Sequence, residues 1–482
     1  MGLVIIIDLI AVIGIVALAQ SKGGLERALP FASFLVALVP IESVVPLPIF
    51  ALTTHRIVVA TLLLLYLARG GGSTGEDRKL STPLKALLLI NVGWCVVSVA
   101  NSIVPVMSIK KLLSIVLDYY GLYFVYWKTV SSTATVHKIF IAIVLAIGLC
   151  SVWGIAETYQ GVDALEYFPA LSHHFDMDIE MDREVRIRAT YDHPILYGAV
   201  LAMTITLTLY LLTVVTSAPH RLLLWLGLML MFFNIYKTSS RGPWLVVILG
   251  CIVLFLFGRK RLRRPILCVA VLAVAVLIIR PGVWGTIRGL FENTFNEDTS
   301  TGTSYSYRPA LRKAAVNYLL DKPSMRTAWG YGQESFYDVH LTGLFLGQPH
   351  VFLSCDDAWV ELLIETGFVG LAIMMAVLFK PAWVAWRQYW QSKKPDGDLP
   401  LVLFVNMFMF YVQMSSVGMY SWGQNGYLLW ILIACTFALS KRGDVQAGQL
   451  SGTPTARKAE SEERCGLPEW WEPVGQTSGI WT

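Results

Sequence analysis

The chain has 482 residues, 55% of them hydrophobic and only 15% charged, where an ordinary soluble domain carries about 25% charged residues. Its mean hydropathy is +0.58, and apolar runs long enough to cross a bilayer core recur along it. That composition excludes a soluble globular domain, and the net charge of +5 is no sign of nucleic-acid binding, because in a membrane protein the placement of the positive residues is what matters.

Taken in chain order, thirteen segments read as spans: about 3–20, 30–50, 57–69, 84–101, 110–127, 138–156, 194–216, 221–236, 242–258, 265–280, 358–379, 400–417 and 426–439. The second and third are the weakest, since "VPIESVVPLPIF" is broken by Pro40, Pro46 and Pro48. The expectation is an all-α polytopic membrane protein with about 12–13 transmembrane helices. The first span carries an unexplained Asp8. Its n-region "MGLVIII" lacks the positive charge of a signal peptide, so the span is expected to remain uncleaved. Lys and Arg crowd alternate loops: Lys22 and Arg27, Arg69 to Lys85, Lys128 and Lys138, Arg221, the run "RKRLRR" at 259–264, Lys380 to Lys394, and Lys441 and Arg442. The intervening short loops hold only Arg56, Lys110, Lys111, Lys237 and Arg241. The first set is therefore cytoplasmic, and the N-terminus is outside.

This topology divides the chain into N-terminal transmembrane helices (1–280) containing an outer loop (157–193), a large extracytoplasmic loop (281–357), C-terminal transmembrane helices (358–439) and a cytoplasmic tail (440–482). The tail is rich in Gly, Ser, Thr and Pro with mixed charge, a disordered composition. Only Cys355 lies in an outer loop, so no extracytoplasmic disulfide within one chain is available. No internal repeat of the transporter kind is visible.

In the first outer loop, "FDMDIEMDREVRIR" (175–188) alternates apolar with acidic and then apolar with basic residues. A hairpin turning at 182–184 would set Glu180 against Arg186 and Asp178 against Arg188. It is a structural feature of the outer surface, or it offers Arg186 or Arg188 to an anionic substrate group. Asp176, Asp178 and Glu180 lack the spacing of an EF-hand calcium loop. In the second loop, "SYSYRPALRKAAVNYLLDKP" reads as a helix, with Ser306 near its N-cap, Pro309 in its first turn and Pro323 beyond its end. Arg308 and Arg312 share one face of it. A Gly-rich "WGYGQESF" follows, and Asp356 and Asp357 stand at the mouth of the eleventh span with Glu361 and Glu365 below them. Carboxylates there are costly unless paired or wet, and the outer arginines are natural partners.

The stretches "RATYDHPILYG" (188–198), "TSSRGPW" (238–244), "YRPALRKAAVNYLLDKP" leading to "GYGQESF", and "DDAWVELLIETGFVGL" (356–371) occur in this order. Together they resemble the O-antigen ligase and polymerase family of bacterial envelope polysaccharide enzymes. The resemblance implies a glycosyltransferase acting on the outer face of the cytoplasmic (inner) membrane, with no cofactor and no metal. The donor would be a glycan on a polyprenyl diphosphate, and an acceptor hydroxyl of a glycan or lipid would displace the carrier with inversion. By motif, Arg241 matches the arginine of the Ser-Arg-Gly element, Arg188 the arginine before the His-Pro element, Arg308 the arginine opening the loop helix, and Gly367 and Gly370 the Gly-x-x-Gly.

The leaving diphosphate gains charge as the glycosidic bond breaks, and arginine suits it through its planar fork of donors. Arg188, Arg241, Arg308 and Arg312 are accordingly the expected diphosphate-binding set, with Arg186 in support. Snorkelling of Lys237 and Arg241 to lipid headgroups is the plainer reading of those two. It leaves the small Thr-Ser-Ser turn and the Gly beside them unexplained. Ligases of the resembled family carry a His eleven residues before the first Gly of the Gly-x-x-Gly. Counting back from Gly367, that position here is Asp356, followed by Asp357. Asp356 is the expected catalytic base, Asp357 a supporting residue, and His350 a substitute only if the loop bends. The departure favours a polysaccharide polymerase, or a ligase to an acceptor other than lipid A-core. A transporter or flippase for lipid-linked sugars, or a structural component of a polysaccharide export machine, are the alternatives.

Overall fold

The computed structural model describes residues 2–47, 51–69, 82–168, 186–321, 324–392, 397–420 and 423–450. The hairpin read over 175–188 and the acidic residues of its first strand lie, up to residue 185, outside them. Where the chain is described it is almost all helix, and every expected span but the second falls largely on helical chain. Among the described residues, six helices are long and apolar enough to cross a membrane.

The N-terminal third contains α1 (Gly2–Gln20), α2 (Ala28–Leu38), a small hairpin of β1 (Val44–Pro46) and β2 (Ala51–Thr53), α3 (Thr54–Ala68) and α4 (Lys85–Ala100). The second expected span is thus a correction: its helix stops at Leu38, before Pro40, and the chain turns into the hairpin. Proline before an extended stretch cannot continue a helix. Asp8, unexplained in sequence, accepts a 2.7 Å hydrogen bond from the Thr54 hydroxyl at the start of α3, and Ser43 Oγ lies 2.7 Å from that hydroxyl. A buried carboxyl in a span is tolerated when a neighbouring helix supplies its donor.

Next, α5 (Pro105–Ser114), a π-helical turn at Ile115–Tyr120 and α6 (Gly121–Thr129) run on as one rod, followed by α7 (Thr133–Gln160). The centre of the molecule is α8 (Pro194–Val214). Its apolar stretch is 94% buried, whereas that of α11 (Lys260–Ile279) is only 17% buried. A helix apolar all round belongs inside, and α11 presents its side chains outward, toward lipid in a membrane. Around α8 stand α7, α9 (Ala218–Lys237), α10 (Arg241–Phe257) and, from the C-terminal part, α16 (Asp398–Gln413). Polar side chains tie these helices: Asn234 donates to the Ser151 carbonyl at 2.9 Å and accepts from the Tyr197 hydroxyl at 3.1 Å.

Beyond α11, α12 (Pro281–Glu292) leads to α13 (Ser300–Leu320). This helix starts earlier than the sequence suggested. Thr299, not a residue near Ser306, caps it by accepting from the Gly302 N–H at 3.1 Å, and Pro309 lies inside it. Beside Pro309, Arg308 Nη1 donates to the Ser304 carbonyl at 3.1 Å. After α14 (Met325–Trp329), a second hairpin pairs β3 (Thr342–Phe345) with β4 (Gln348–Val351). The chain closes with α15 (Ala358–Gln391), α16 and α17 (Asn425–Leu450). The last helix runs past 440 into the stretch expected as tail.

Two sets of loops separate cleanly between the ends of the bundle. At one end Glu26 accepts from Ser131, Lys380 donates to the Pro83 carbonyl, and the Arg259 N–H donates to Asp398. These are the loops rich in Lys and Arg. At the other end Ser108 donates to the Gln333 carbonyl, Arg308 to the Ser416 carbonyl, and Gln424 to the Val39 and Thr190 carbonyls. Each of these contacts joins loops that the charge pattern puts in the same set.

One feature shapes this second end. Gly367 interrupts α15 with φ 69° and ψ −177°, a region open essentially to glycine alone. Carbonyls freed by the break are taken up by other elements. The Ile364 carbonyl accepts from the Tyr331 N–H at 3.0 Å, that of Glu365 from the Gly332 N–H and the Ser98 hydroxyl, and that of Thr366 from the Trp94 indole at 3.0 Å. The loop and the break interlock: a Cβ on Gly330 (φ 76°) would meet the Glu365 carbonyl oxygen at 2.4 Å, and one on Gly367 the Ala328 oxygen at 2.2 Å. Gly367→Ala is expected to lower the melting temperature of the detergent-purified protein. The strained backbone costs about 1–3 kcal/mol and the clash adds to it. Gly148→Ala, in open space on α7, should not. Equal melting of the two variants would show that the break is not held as described.

Candidate functional site

The loop-converging end encloses an open cavity of about 1520 Å³, larger than a drug-sized pocket. Its walls come from the start of α10, the loops at 186–193 and 334–337, α12 and α13, the start of α15 and the turn after α16.

"KTSSRGPW" builds the α10 wall residue by residue. Thr238 closes α9, its hydroxyl donating to the Ile235 carbonyl at 2.7 Å. Ser239 takes a left-handed φ of 48°, and Ser240 occupies the N-cap position of α10. Gly242 is where α10 meets α16: a Cβ there would stand 2.9 Å from the Gln413 amide. Pro243 fits against Gly198 of α8, and the Trp244 indole donates to the Ile235 carbonyl at 2.6 Å. Arg241 is left at the first turn of the helix, reaching into the cavity and donating to the Thr294 hydroxyl at 2.5 Å. Lys237 does not line the cavity. The helix N-terminus beside Arg241 adds its partial positive charge to the same wall.

Arg186 also lines the cavity. Its guanidinium donates to the Thr238 carbonyl at 3.0 Å and the Ser240 hydroxyl at 2.7 Å, bracing the turn that carries Arg241. Arg188 is elsewhere. It is buried and paired with Asp163, it donates to the Asp192 carbonyl, and its N–H donates to Glu157. It does not contribute to the cavity wall, so of the two arginines in this loop the supporting one is the one beside Arg241.

On α13, Arg308 and Arg312 stand one turn apart and donate to the Ser416 and Ser415 carbonyls at 3.1 and 2.8 Å. They thereby clamp the loop helix to the C-terminal end of α16, where carbonyl groups favour cations. The adjacent carboxylates below them have different surroundings. Asp357 is fully buried. It caps α15, accepting from the Trp359 N–H at 2.9 Å and the Val360 N–H at 3.3 Å, and pairs with Arg312 at 2.6 Å. Asp356 is 40% exposed in its side chain and lines the cavity. It accepts from the Ser354 hydroxyl at 2.7 Å and stands 3.8 Å from Arg308. Burial holds the Cys355 thiol between Ser354 and Asp356 well above its ordinary pKa, with the Glu361 charge adding to the effect, so it stays protonated. His350 lies on β4 among the rings of Tyr307, Phe345 and Phe352, 5.2 to 6.0 Å between centroids. The loop does not bend it to the place of Asp356.

The structure adds residues that motif reading passed over. Lys111, Glu334, Tyr337 and Glu361 all line the cavity. Lys111 had a signal, a charge inside an otherwise helical membrane run. Glu361 was placed deeper than the site, yet it reaches the wall one turn below Asp357.

Fold and site together define a multi-pass helical membrane protein with an arginine-walled cavity at one end of its bundle. Residues 226–375 match the family model described as O-antigen ligase, so that stretch is similar to the O-antigen ligase and polymerase family. That stretch carries Arg241, Arg308, Arg312, Asp356, Asp357 and the Gly367 break, while Arg186 and Arg188 precede it. No curated protein matches the chain.

The two aspartates should separate by stability. Asp357→Ala removes a helix cap and leaves Arg312 without its carboxylate, and is expected to destabilise the protein by about 1–3 kcal/mol. Asp356→Ala should melt like the parent. A thermal shift of equal size in both variants would contradict the division between capping and cavity carboxylates.

Proposed function

We propose that the chain is a glycosyltransferase of the outer face of the cytoplasmic membrane. It moves a glycan from a polyprenyl-diphosphate carrier to an acceptor hydroxyl, as a polysaccharide polymerase or ligase, without a metal. The observation that carries this reading is the gathering of Arg186, Arg241, Arg308 and Arg312 with Asp356 around one large cavity. That cavity lies at the end of the bundle whose short loops are poor in Lys and Arg, which is the outer end by the positive-inside rule.

The chemistry follows from charge. Asp356 takes the proton of the acceptor hydroxyl. The oxygen attacks the anomeric carbon, the bond from that carbon to the diphosphate oxygen breaks, and the electron pair leaves with the diphosphate. The leaving group gains negative charge, and guanidinium groups fixed beforehand by Thr294, Thr238, Ser240, Ser415 and Ser416 stabilise it without reorganising. A base must not be consumed by its neighbours. The 3.8 Å separation of Asp356 from Arg308 keeps that carboxylate available, where the 2.6 Å pair of Asp357 with Arg312 does not. Metal independence is supported by the same geometry, since the adjacent carboxylates face different arginines instead of converging on one point.

Arg241→Ala is expected to abolish transfer from a lipid-linked donor while the protein still accumulates in the membrane. Arg241→Lys should remain poor, because a point charge lacks the fork geometry. Full activity of the alanine variant would leave Arg241 no role beyond the membrane surface.

Asp356→Asn should lower turnover by roughly 10²–10⁴-fold, the usual worth of a general base, with donor binding little changed. Normal turnover in this variant would remove Asp356 from the mechanism. The reaction should also persist in EDTA. Loss on chelation, restored by magnesium or manganese, would overturn the metal-free reading.

A further inference from the structure

A second part of the cavity wall carries no arginine and is built with equal care. Its centre is Glu334, in the "GYGQESF" loop. Glu334 has a φ of 62°, a conformation that costs a non-glycine residue energy and persists only where the surroundings over-determine it. They do so here. The Glu334 N–H donates to the buried Glu365 carboxylate at 2.7 Å, and the Glu334 carboxylate accepts from Lys111 Nζ at 2.5 Å. The residue before it is also tied down: the Gln333 carbonyl accepts from Ser108, and its side-chain amide donates to the Cys95 sulfur at 3.1 Å. Three residues on, the turn presents Tyr337, 58% exposed, with the buried Phe336 ring edge-on to it at 5.5 Å.

The Lys111–Glu334 pair is also a boundary. Both residues line the large cavity and a smaller pocket of about 260 Å³, whose other walls include Arg56, Lys110, Ser114 and Tyr119. Arg56 is held by Asp118 at 3.1 Å and Ser114 at 2.8 Å. Along this route Arg56 is paired with Asp118 and Lys111 with Glu334. An exposed tyrosine ring, a fixed carboxylate and a fixed ammonium offer an apolar face, acceptors and donors side by side. That combination suits a polyhydroxylated ring, whose hydroxyls both donate and accept and whose C–H faces are apolar.

From these observations we infer that Tyr337 and the Lys111–Glu334 pair form the subsite for the acceptor's sugar chain, and that the smaller pocket receives the sugar behind the reacting one. The inference rests on the proposed glycosyl transfer and assigns the acceptor side of it. The ligand is an uncharged, hydroxyl-rich stretch of carbohydrate, distinct from the lipid diphosphate held by the arginines.

The test uses the full chain in nanodiscs, lipid-linked glycan extracted from cells lacking the protein as donor, and the same glycan freed from its carrier by mild acid as acceptor. Tyr337→Ala is expected to raise the acceptor KM about tenfold or more, the effect of losing one good contact, with donor KM within about twofold of the parent. Tyr337→Phe keeps the ring and should stay near the parent. Glu334→Gln should raise acceptor KM in the same way. Its melting temperature, followed in parallel, separates loss of binding from loss of folding. Unchanged acceptor KM in both Tyr337→Ala and Glu334→Gln overturns the assignment while leaving the transfer reaction intact. A rise in donor KM alone overturns it too, giving this wall to the donor glycan. If the parent protein releases no polyprenyl diphosphate from the donor, the transfer reading itself fails.

Discussion

Backbone groups in a bilayer have no water to turn to, so a helix can break only where protein takes over its hydrogen bonds. The site end of this molecule depends on one such break. At Gly367 the carbonyls of Ile364, Glu365 and Thr366 are handed to Tyr331, Gly332, Ser98 and Trp94. The exchange holds the "GYGQESF" loop against the upper part of α15 and against α4. It fixes Glu334 and Tyr337 on one side of the cavity. The short helical piece above the break presents its capped N-terminus, with Asp356 and Asp357, to the other. Glycine is required on both partners because each backbone lies where the other's Cβ would be. A break of this kind fixes a loop to the membrane helices without a disulfide.

A second constraint is electrostatic. Arginines at a membrane surface are usually free to wander to headgroups, and such freedom would weaken any preorganised site. Here each cavity arginine is tethered through part of its donor fork: Arg241 to Thr294, Arg186 to the 238–240 turn, Arg308 and Arg312 to the α16 carbonyls. These tethers are neutral oxygens, and Arg312 also pairs with Asp357. A carbonyl or hydroxyl orients a guanidinium without cancelling its charge, so an anion entering the cavity still meets positive potential. Arg188 is paired with Asp163, and the N–H groups of residues 188 and 189 donate to Glu157 of α7.

Much of this was legible in sequence because it rests on local rules. Hydropathy marked the helices, and the placement of Lys and Arg sorted the loops into two sets. The Ser-Arg-Gly and Gly-x-x-Gly elements pointed to positions that structure explains, a close helix approach at Gly242 and a helix break at Gly367. What failed depended on partners far away in the chain. Arg186 and Arg188 are equivalent in an alternating pattern, and only the approach of the 238–240 turn selects Arg186. The start of α13 was misplaced because Pro309 resembles a first-turn proline, while the true cap, Thr299, looks like any loop threonine. Lys111 and Glu334 are separated by more than two hundred residues, and no local periodicity could have joined them.

Asp356 and Asp357 show most directly how a fold assigns chemistry. In sequence they are the same residue twice. Their surroundings differ because a helix begins between them. Asp357 takes the N-cap, where two backbone N–H groups and Arg312 consume its acceptor capacity in a fully buried place. Asp356, one residue earlier, is outside the helix and turns toward the cavity, with Ser354 at 2.7 Å and Arg308 at 3.8 Å as neighbours. A capping side chain must stay with the helix N–H groups it accepts from. A general base needs an accessible lone pair facing the place where a hydroxyl can sit. One step along the backbone at a helix start is enough to place one carboxylate in each of those environments, and the register of α15, fixed below by the Gly367 break, decides which is which.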